Sequence, residues 1–267
     1  MGKRYGQHFL RSAAVLERIA AAAQAEPGEA LLEIGPGEGA LTERLLRSGA
    51  RLTAVEIDPA LCAGLKARFD AAPNFRLIEG DILEPPLEPE ALFGAPGRYA
   101  VVANLPYYLS TPLLFRLIGA RRHLSRLVLM VQREIAERLA ASPAEGKAYG
   151  SLSIAGQHAF TIRRLFSVPP GAFRPPPKVD SAVVEFRPRD PLLPEGEERR
   201  FLEHVKRLFT QRRKLMARTL ARAWPGLDPA RLAEAERLIG ERRPEALTPE
   251  EHLAVFRIVA GLNGGAG

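Results

Sequence analysis

Short apolar runs rich in β-branched residues recur along the first two thirds of the chain. They are "ALLEIG" (30–35), "RLTAVEID" (51–58), "FRLIEGD" (75–81), "YAVVANLP" (99–106), "LSRLVLMVQ" (124–132), "AFTIRRLFSV" (159–168) and "AVVEFRP" (182–188). Runs of this length predict buried strands. The pieces between them, such as "GALTERLLRSG" and "PALCAGLKARFDAAP", space apolar residues by three and four and stop at Gly or before Pro, which predicts helices. Their alternation predicts a doubly wound α/β fold, a mostly parallel sheet with helices on both faces. The last two runs are joined by "PPGAFRPPPKVDS", which has no room for a crossover helix, so an antiparallel hairpin is expected at the sheet edge. After "FRPRDPLLPEGEE" only helical spacing remains, at 199–222, 228–239 and 248–261. The expected organisation is a ligand-binding α/β domain over residues 1–190 and a small all-helical domain over 191–267.

With 267 residues and 46% hydrophobic content, the chain can bury a full core. Its apolar runs fall well short of the roughly 20 residues of a membrane helix. "MGKRYGQHFL" lacks the apolar middle of a signal peptide, and the lone Cys62 cannot form an internal disulfide, so a cytoplasmic protein with no membrane partner is expected. A balance of 38 Lys+Arg against 31 Asp+Glu gives a net charge of +7 and favours a polyanionic partner. The excess is concentrated: between Arg199 and Arg222 lie nine basic residues and one acidic residue, Glu203. In this segment Phe201, Leu202, Val205, Leu208, Phe209, Leu215, Met216 and Leu220 form an apolar stripe. It leaves Arg207, Arg212, Arg213 and Lys214 for the phosphates of a polyanionic partner, against the ordinary alternative of a solvated helix face.

Candidate chemistry collects at the predicted strand ends. "LLEIGPGEGALTERL" sets Gly35, Gly37 and Gly39 between a buried strand and a helix, where the backbone can approach a ligand and free N–H groups face it. Twenty-one residues past Gly35, Glu56 ends the next strand, the place of an acid that binds ribose hydroxyls. Asp58, just before Pro59, is better suited to capping the following helix. Asp81 after the third strand suits an adenine amino group, or simply a turn after Gly80.

The fourth strand ends "NLPYY". An adenine exocyclic amine is a poor nucleophile because its lone pair is delocalised into the ring. Accepting hydrogen bonds from its N–H groups on the side-chain oxygen of Asn104 and the carbonyl of Leu105 would free that lone pair, with Pro106 fixing the turn. Tyr107 then offers a stacking surface, worth about 1–3 kcal/mol per base. Phe173 on the Pro-rich loop can cover the other face of the base or anchor the loop in the core. The bland alternative makes Asn104 a turn residue and the tyrosines packing. The five histidines and single cysteine form no metal-ligand pattern, so no metal is expected.

The set "GQHFL", "EIGPGEGALT", "VEID", "GDIL", "NLPYY", "QREIAERL", "AYGSLS", "FRPPPKVDSAVV" and "FTQRRK" resembles the KsgA-type ribosomal RNA adenine dimethyltransferases, from about residue 5 to about 220. The resemblance implies a Rossmann-like class I methyltransferase sheet and S-adenosyl-L-methionine as donor. It further implies two adjacent adenosines in the 3′-terminal hairpin of 16S rRNA as substrate, and small-subunit rRNA or a partly assembled 30S subunit as partner, bound by a monomer. Carried over, the family pattern sets Gln7, His8 and Leu10 against the cofactor in a lid segment, with Gly35, Gly37, Glu56, Asp81 and Asn104. Many members have Asn where this chain has His8, so a backbone contact is expected there. The target adenine falls to Asn104, Leu105, Pro106, Tyr107 and Phe173. Competing readings are a large-subunit rRNA or DNA adenine methyltransferase, a NAD-dependent oxidoreductase, and an assembly factor that chiefly binds pre-ribosomal RNA.

Overall fold

The computed structural model describes residues 8–84 and 87–262. Two compact units emerge. One joins the described residues up to Ala136 with Phe160–Pro188; the other joins Glu137–Ala159 with the described residues from Arg189 onward. The break at Pro188/Arg189 lies close to the expected position. The helical unit, however, also recruits Glu137–Ala159 from mid-sequence, a segment expected in the α/β domain.

The α/β unit is built on seven strands: β1 (Ala30–Ile34), β2 (Arg51–Glu56), β3 (Phe75–Glu79), β4 (Tyr99–Asn104), β5 (Leu124–Gln132), β6 (Phe160–Val168) and β7 (Ser181–Pro188). Their order is β3-β2-β1-β4-β5-β7-β6. The first five run parallel, and β7 pairs antiparallel with both β5 and β6. The expected hairpin is present, with β6 as the edge and β7 inserted inside it. Strand order reverses between β1 and β4, the switch point where open α/β sheets hold ligands beyond the strands' carboxyl ends. Helices α1 (Ala13–Ala23), α2 (Thr42–Leu46), α3 (Pro59–Phe69), α4 (Pro89–Phe93) and α5 (Ser110–Gly119) accompany the sheet. Leu16 and Ile19 of α1 and Leu45 of α2 join Leu31, Val102, Val128 and Val183 of the strands in one buried core. Asp58 caps α3 as expected, its Oδ1 accepting from the Ala60 N–H at 2.9 Å, with Pro59 in the first turn.

The Pro-rich loop between β6 and β7 does more than close a hairpin. Its Phe173–Arg174 pairs antiparallel with Phe9–Leu10, and the Ala172 carbonyl accepts from the N–H groups of Arg11 (2.8 Å) and Ser12 (3.2 Å). The N-terminal segment is thereby strapped beside the glycine loop, where Arg11 forms an ion pair with Glu38.

In the helical unit, α6 (Arg133–Ala140) contributes its second half, followed by α7 (Ser151–Ala159), α8 (Glu195–Phe209), α9 (Met216–Ala223), α10 (Pro229–Ile239) and α11 (Pro249–Ala260). The single helix expected over 199–222 is broken: α8 ends at Phe209, and 210–215 turn before α9 begins. Arg212 explains what holds that turn. Its guanidinium pairs with Glu245 at 2.7 Å and also donates to the carbonyls of Gly146 and Lys147. The unit's core includes a ring cluster of Phe201, His204, Trp224 and Phe256.

Candidate active site

At the carboxyl ends of β1, β2 and β4 opens a cleft lined by His8, Leu10, Gly35, Gly37, Glu56, Asp81, Asn104, Leu105, Pro106, Tyr107 and Phe173. Every expected cofactor and base residue except Gln7 meets there; Gln7 lies outside the described residues.

The three loop glycines all take positive φ, at 64°, 60° and 80° for Gly35, Gly37 and Gly39, so each needs the missing Cβ. Their surroundings differ. A Cβ at Gly39 would come within 2.6 Å of the Phe69 ring, and one at Gly37 within 3.2 Å of Phe9, whereas at Gly35 nothing lies within 4 Å. Gly39 is therefore spent on packing, and Gly35 keeps open space against the cleft.

Glu56 is 4% exposed. Its Oε2 accepts from the Gly37 N–H at 3.1 Å and its Oε1 from those of Ile57 and Asp58 at 3.0 Å. Burial pushes its acidity toward the neutral form, opposed by those three backbone donors. The carboxylate is thus fixed in place at the rim of the glycine loop. Asp81 forms the expected turn, its Oδ1 accepting from the Leu83 N–H at 2.9 Å, and the residue also lines the cleft.

Glu33 was not among the expected site residues. It sits inside β1 at 1% exposure and lines the same cleft. Burial drives its pKa up to about 8; the Thr42 hydroxyl, donating at 2.7 Å, opposes the rise and the nearby Glu56 adds to it. The available signal was a lone carboxylate in an otherwise apolar strand next to the glycine loop, since a buried unpaired acid is rare outside functional sites.

The fourth strand delivers the turn. Asn104 Nδ2 donates to the His8 carbonyl at 3.4 Å. A carbonyl can only accept, so this bond orients the amide and leaves Oδ1 as the acceptor on its other side. The Leu105 N–H is committed to the Met130 carbonyl at 3.1 Å, and a 3₁₀ turn, Tyr107–Leu109, follows Pro106. Tyr107 is half-buried, its ring centroid 5.7 Å from that of His8 and its hydroxyl 3.4 Å from Ser181 Oγ. His8 Nδ1 lies 2.8 Å from the Pro175 carbonyl and so carries the hydrogen, which leaves it no basic lone pair there. His8 meets Asn104 through its backbone carbonyl. Phe173 is 2% exposed and anchors the loop in the core, as one of its two readings expected, while also forming cleft wall.

Of the expected phosphate-binding residues, Arg207, Arg213 and Lys214 are exposed, Arg207 also donating to the Ala223 carbonyl at 3.3 Å. Arg212 is instead the anchor of the α8–α9 turn. Among the described residues, no group of three or more His, Cys, Asp or Glu could hold a metal ion, and no helix is long and apolar enough to cross a membrane.

Known proteins resemble this chain over most of its length. The chain is 44% identical over 268 residues to ribosomal RNA small subunit methyltransferase A of Thermosynechococcus vestitus, covering 97% of both chains. It is 43% identical to the protein of the same name from Geobacter metallireducens, covering 98% of this chain and 96% of that one. Among solved structures it resembles a dimethyladenosine transferase from Plasmodium falciparum (TM-score 0.77, 26% identity, 93% of this chain and 96% of that one). It also resembles the 23S rRNA methyltransferase ErmE (TM-score 0.70, 28% identity, 94% and 99%). The family model for ribosomal RNA adenine dimethylase matches residues 1–260, and this chain belongs to that family.

Proposed function

We propose that this chain dimethylates the exocyclic amines of two adjacent adenosines in the 3′-terminal hairpin of 16S rRNA, with S-adenosylmethionine as the methyl donor. The observation that carries the reading is the orientation of the Asn104 amide: its nitrogen is used on the His8 carbonyl and its oxygen is left to accept, in the cleft that also holds Gly35, Glu56 and Asp81.

The residues fit the donor. Gly35 leaves room for a ligand against the backbone, Glu56 holds a carboxylate where ribose hydroxyls would meet it, and Asp81 suits the adenine amino group. The donor supplies an electrophilic methyl group on a sulfonium. The chain's own task is to hold the acceptor amine. Asn104 Oδ1 and the Leu105 carbonyl accept hydrogen bonds from its N–H groups, so that the nitrogen lone pair is released from the ring and points at the methyl group. Forming the N–C bond would break the C–S bond, with S-adenosylhomocysteine as leaving group and one amine proton lost to solvent. Tyr107 holds the base by stacking. Two neutral acceptors also tolerate an amine that has already gained one methyl group, as a second transfer to the same nitrogen requires. Correct alignment of two reactants amounts to an effective molarity on the order of 10⁵ M or more. No metal is needed for such a transfer.

The names of the 43–46% identical relatives favour the small subunit over the large-subunit activity of the ErmE neighbour. The exposed Arg207, Arg213 and Lys214 would take RNA phosphates. The test is Asn104→Ala assayed on under-methylated small subunits, with the methylated nucleotides mapped. Methyl transfer is expected to fall at least ~100-fold, the scale of losing one preorganised polar group, while donor and RNA affinities change less than about threefold. Near-normal transfer by this variant, or label in large-subunit RNA, refutes the reading.

A further inference from the structure

The turn that carries Tyr107 also carries Tyr108, to which the mechanism above assigns nothing. Successive residues of this 3₁₀ turn point about 120° apart, and the three side chains have different fates. Tyr107 is half-buried against His8 and Ser181, Leu109 is buried, and Tyr108 is 59% exposed, the most exposed large apolar side chain among the described residues. Tyr108 nevertheless lines the same cleft. Most of this ring therefore lies exposed at the cleft.

The loop that brings Phe173 to the cleft carries exposed positive charge. The loop from Phe173, on the cleft wall, to Ser181, in contact with Tyr107, exposes Arg174 and Lys178, and neither forms an ion pair among the described residues. The loop's acid, Asp180, is paired with Arg133 at 2.7 Å. An exposed ring at the cleft and exposed cations on the loop that supplies part of the cleft wall are the two elements that hold single-stranded nucleic acid, by stacking and by phosphate contact.

Extruding an adenine strips its neighbour of a stacking partner, a cost every base-flipping enzyme must offset. Resting on the base-pocket reading above, we propose that Tyr108 is a substrate-positioning residue: it stacks on the nucleobase adjacent to the extruded adenosine and replaces the lost base–base contact. When one of the two adjacent adenosines is in the cleft, the other is the base Tyr108 receives. The same ring thereby serves both methylation sites.

The experiment uses the full chain and a hairpin RNA with the two adenosines, the second replaced by 2-aminopurine, whose fluorescence is quenched by stacking. In the presence of S-adenosylhomocysteine, wild type and Tyr108→Phe are expected to re-quench the probe on binding, and Tyr108→Ala is not. On unmodified RNA, Tyr108→Ala should raise KM about tenfold with kcat within about twofold, and donor affinity should be unchanged, which also reports intact folding. Tyr108→Phe should match wild type. Unaltered quenching and KM in Tyr108→Ala overturn the inference, as does a loss confined to donor affinity, which would assign the ring to the cofactor. Tyr107→Ala separates the two readings. If it loses kcat while Tyr108→Ala is silent, only the present inference fails; if Tyr107→Ala and Asn104→Ala both retain full kcat, the base-pocket reading fails and this one with it.

Discussion

Both units bury ionisable side chains, and in opposite settings. In the α/β unit, Glu33 and Glu56 are almost fully buried but border the cleft. In the helical unit, His204 (2% exposed) and His252 (0%) are sealed among aromatic rings. Trp224 Nε1 donates to His204 Nδ1 at 2.9 Å, and His252 Nε2 donates to the Pro244 carbonyl at 2.9 Å. Burial lowers the pKa of His204 to about 3 and that of His252 to about 4, while it raises that of Glu33 to about 8. A perturbed acidity marks chemistry only where the group borders space that a ligand can enter. Elsewhere it marks a core that tolerates polar atoms in one protonation state.

The largest consequence of that contrast is acid instability of the helical unit. Both histidines have folded pKa values below the ordinary 6.5, so the stability they allow is complete above that value and is lost as pH falls toward 4 and then 3. Each pH unit through this window costs about 1.4 kcal/mol per histidine. Thermal melts between pH 7 and pH 4 should show a steep decline, and His252→Gln, which keeps a donor for Pro244 but cannot titrate, should flatten it by about one proton. An unchanged slope would put the acid-sensitive groups elsewhere.

Glu33 has the opposite sign. Its folded pKa lies above the ordinary 4.5, so its contribution is fully favourable below 4.5 and is lost as pH rises toward 8. In the ligand-free protein at pH 7 it should therefore cost on the order of 3 kcal/mol. Glu33→Gln is expected to raise the melting temperature of the free protein, more at pH 8 than at pH 5, and to weaken donor binding. This is the trade-off between stability and function expected at a binding site. A variant neither more stable nor weaker in binding would remove Glu33 from the site.

The smallest expected effects separate two kinds of surface arginine. Arg213→Ala with Lys214→Ala should leave the melting temperature unchanged, weaken RNA binding several-fold and reduce the salt slope of binding by about two. Arg212→Ala should instead lower stability by about 1–3 kcal/mol, because it leaves Glu245 and two carbonyls without their cation. Equal effects on affinity and stability for both would erase the distinction.

The α/β unit was far more legible in the sequence than the helical one. Its seven strands fall within one or two residues of their apolar runs, and in the five inner strands burial on both faces selects β-branched residues over short, sharply bounded lengths. The strand-end residues were legible as well, since glycines with positive φ and an N-x-P-Y turn follow from local backbone chemistry. What stayed hidden depends on partners distant in sequence. Glu33 looked like one more strand residue until its depth was known. Arg212 matched the basic stripe in composition, yet it is fixed by Glu245 and by carbonyls some 65 residues earlier in the chain. The break at 210–215 carries neither Pro nor Gly, and nothing in the composition of Glu137–Ala159 assigns it to the helical unit.

The contact between the N-terminal strap and the glycine loop carries an evolutionary consequence. The Phe9 ring occupies the clearance that a side chain at position 37 would need. In an alignment of relatives the two positions should therefore covary: wherever a methyl or larger group replaces Gly37, a smaller residue at position 9 should accompany it.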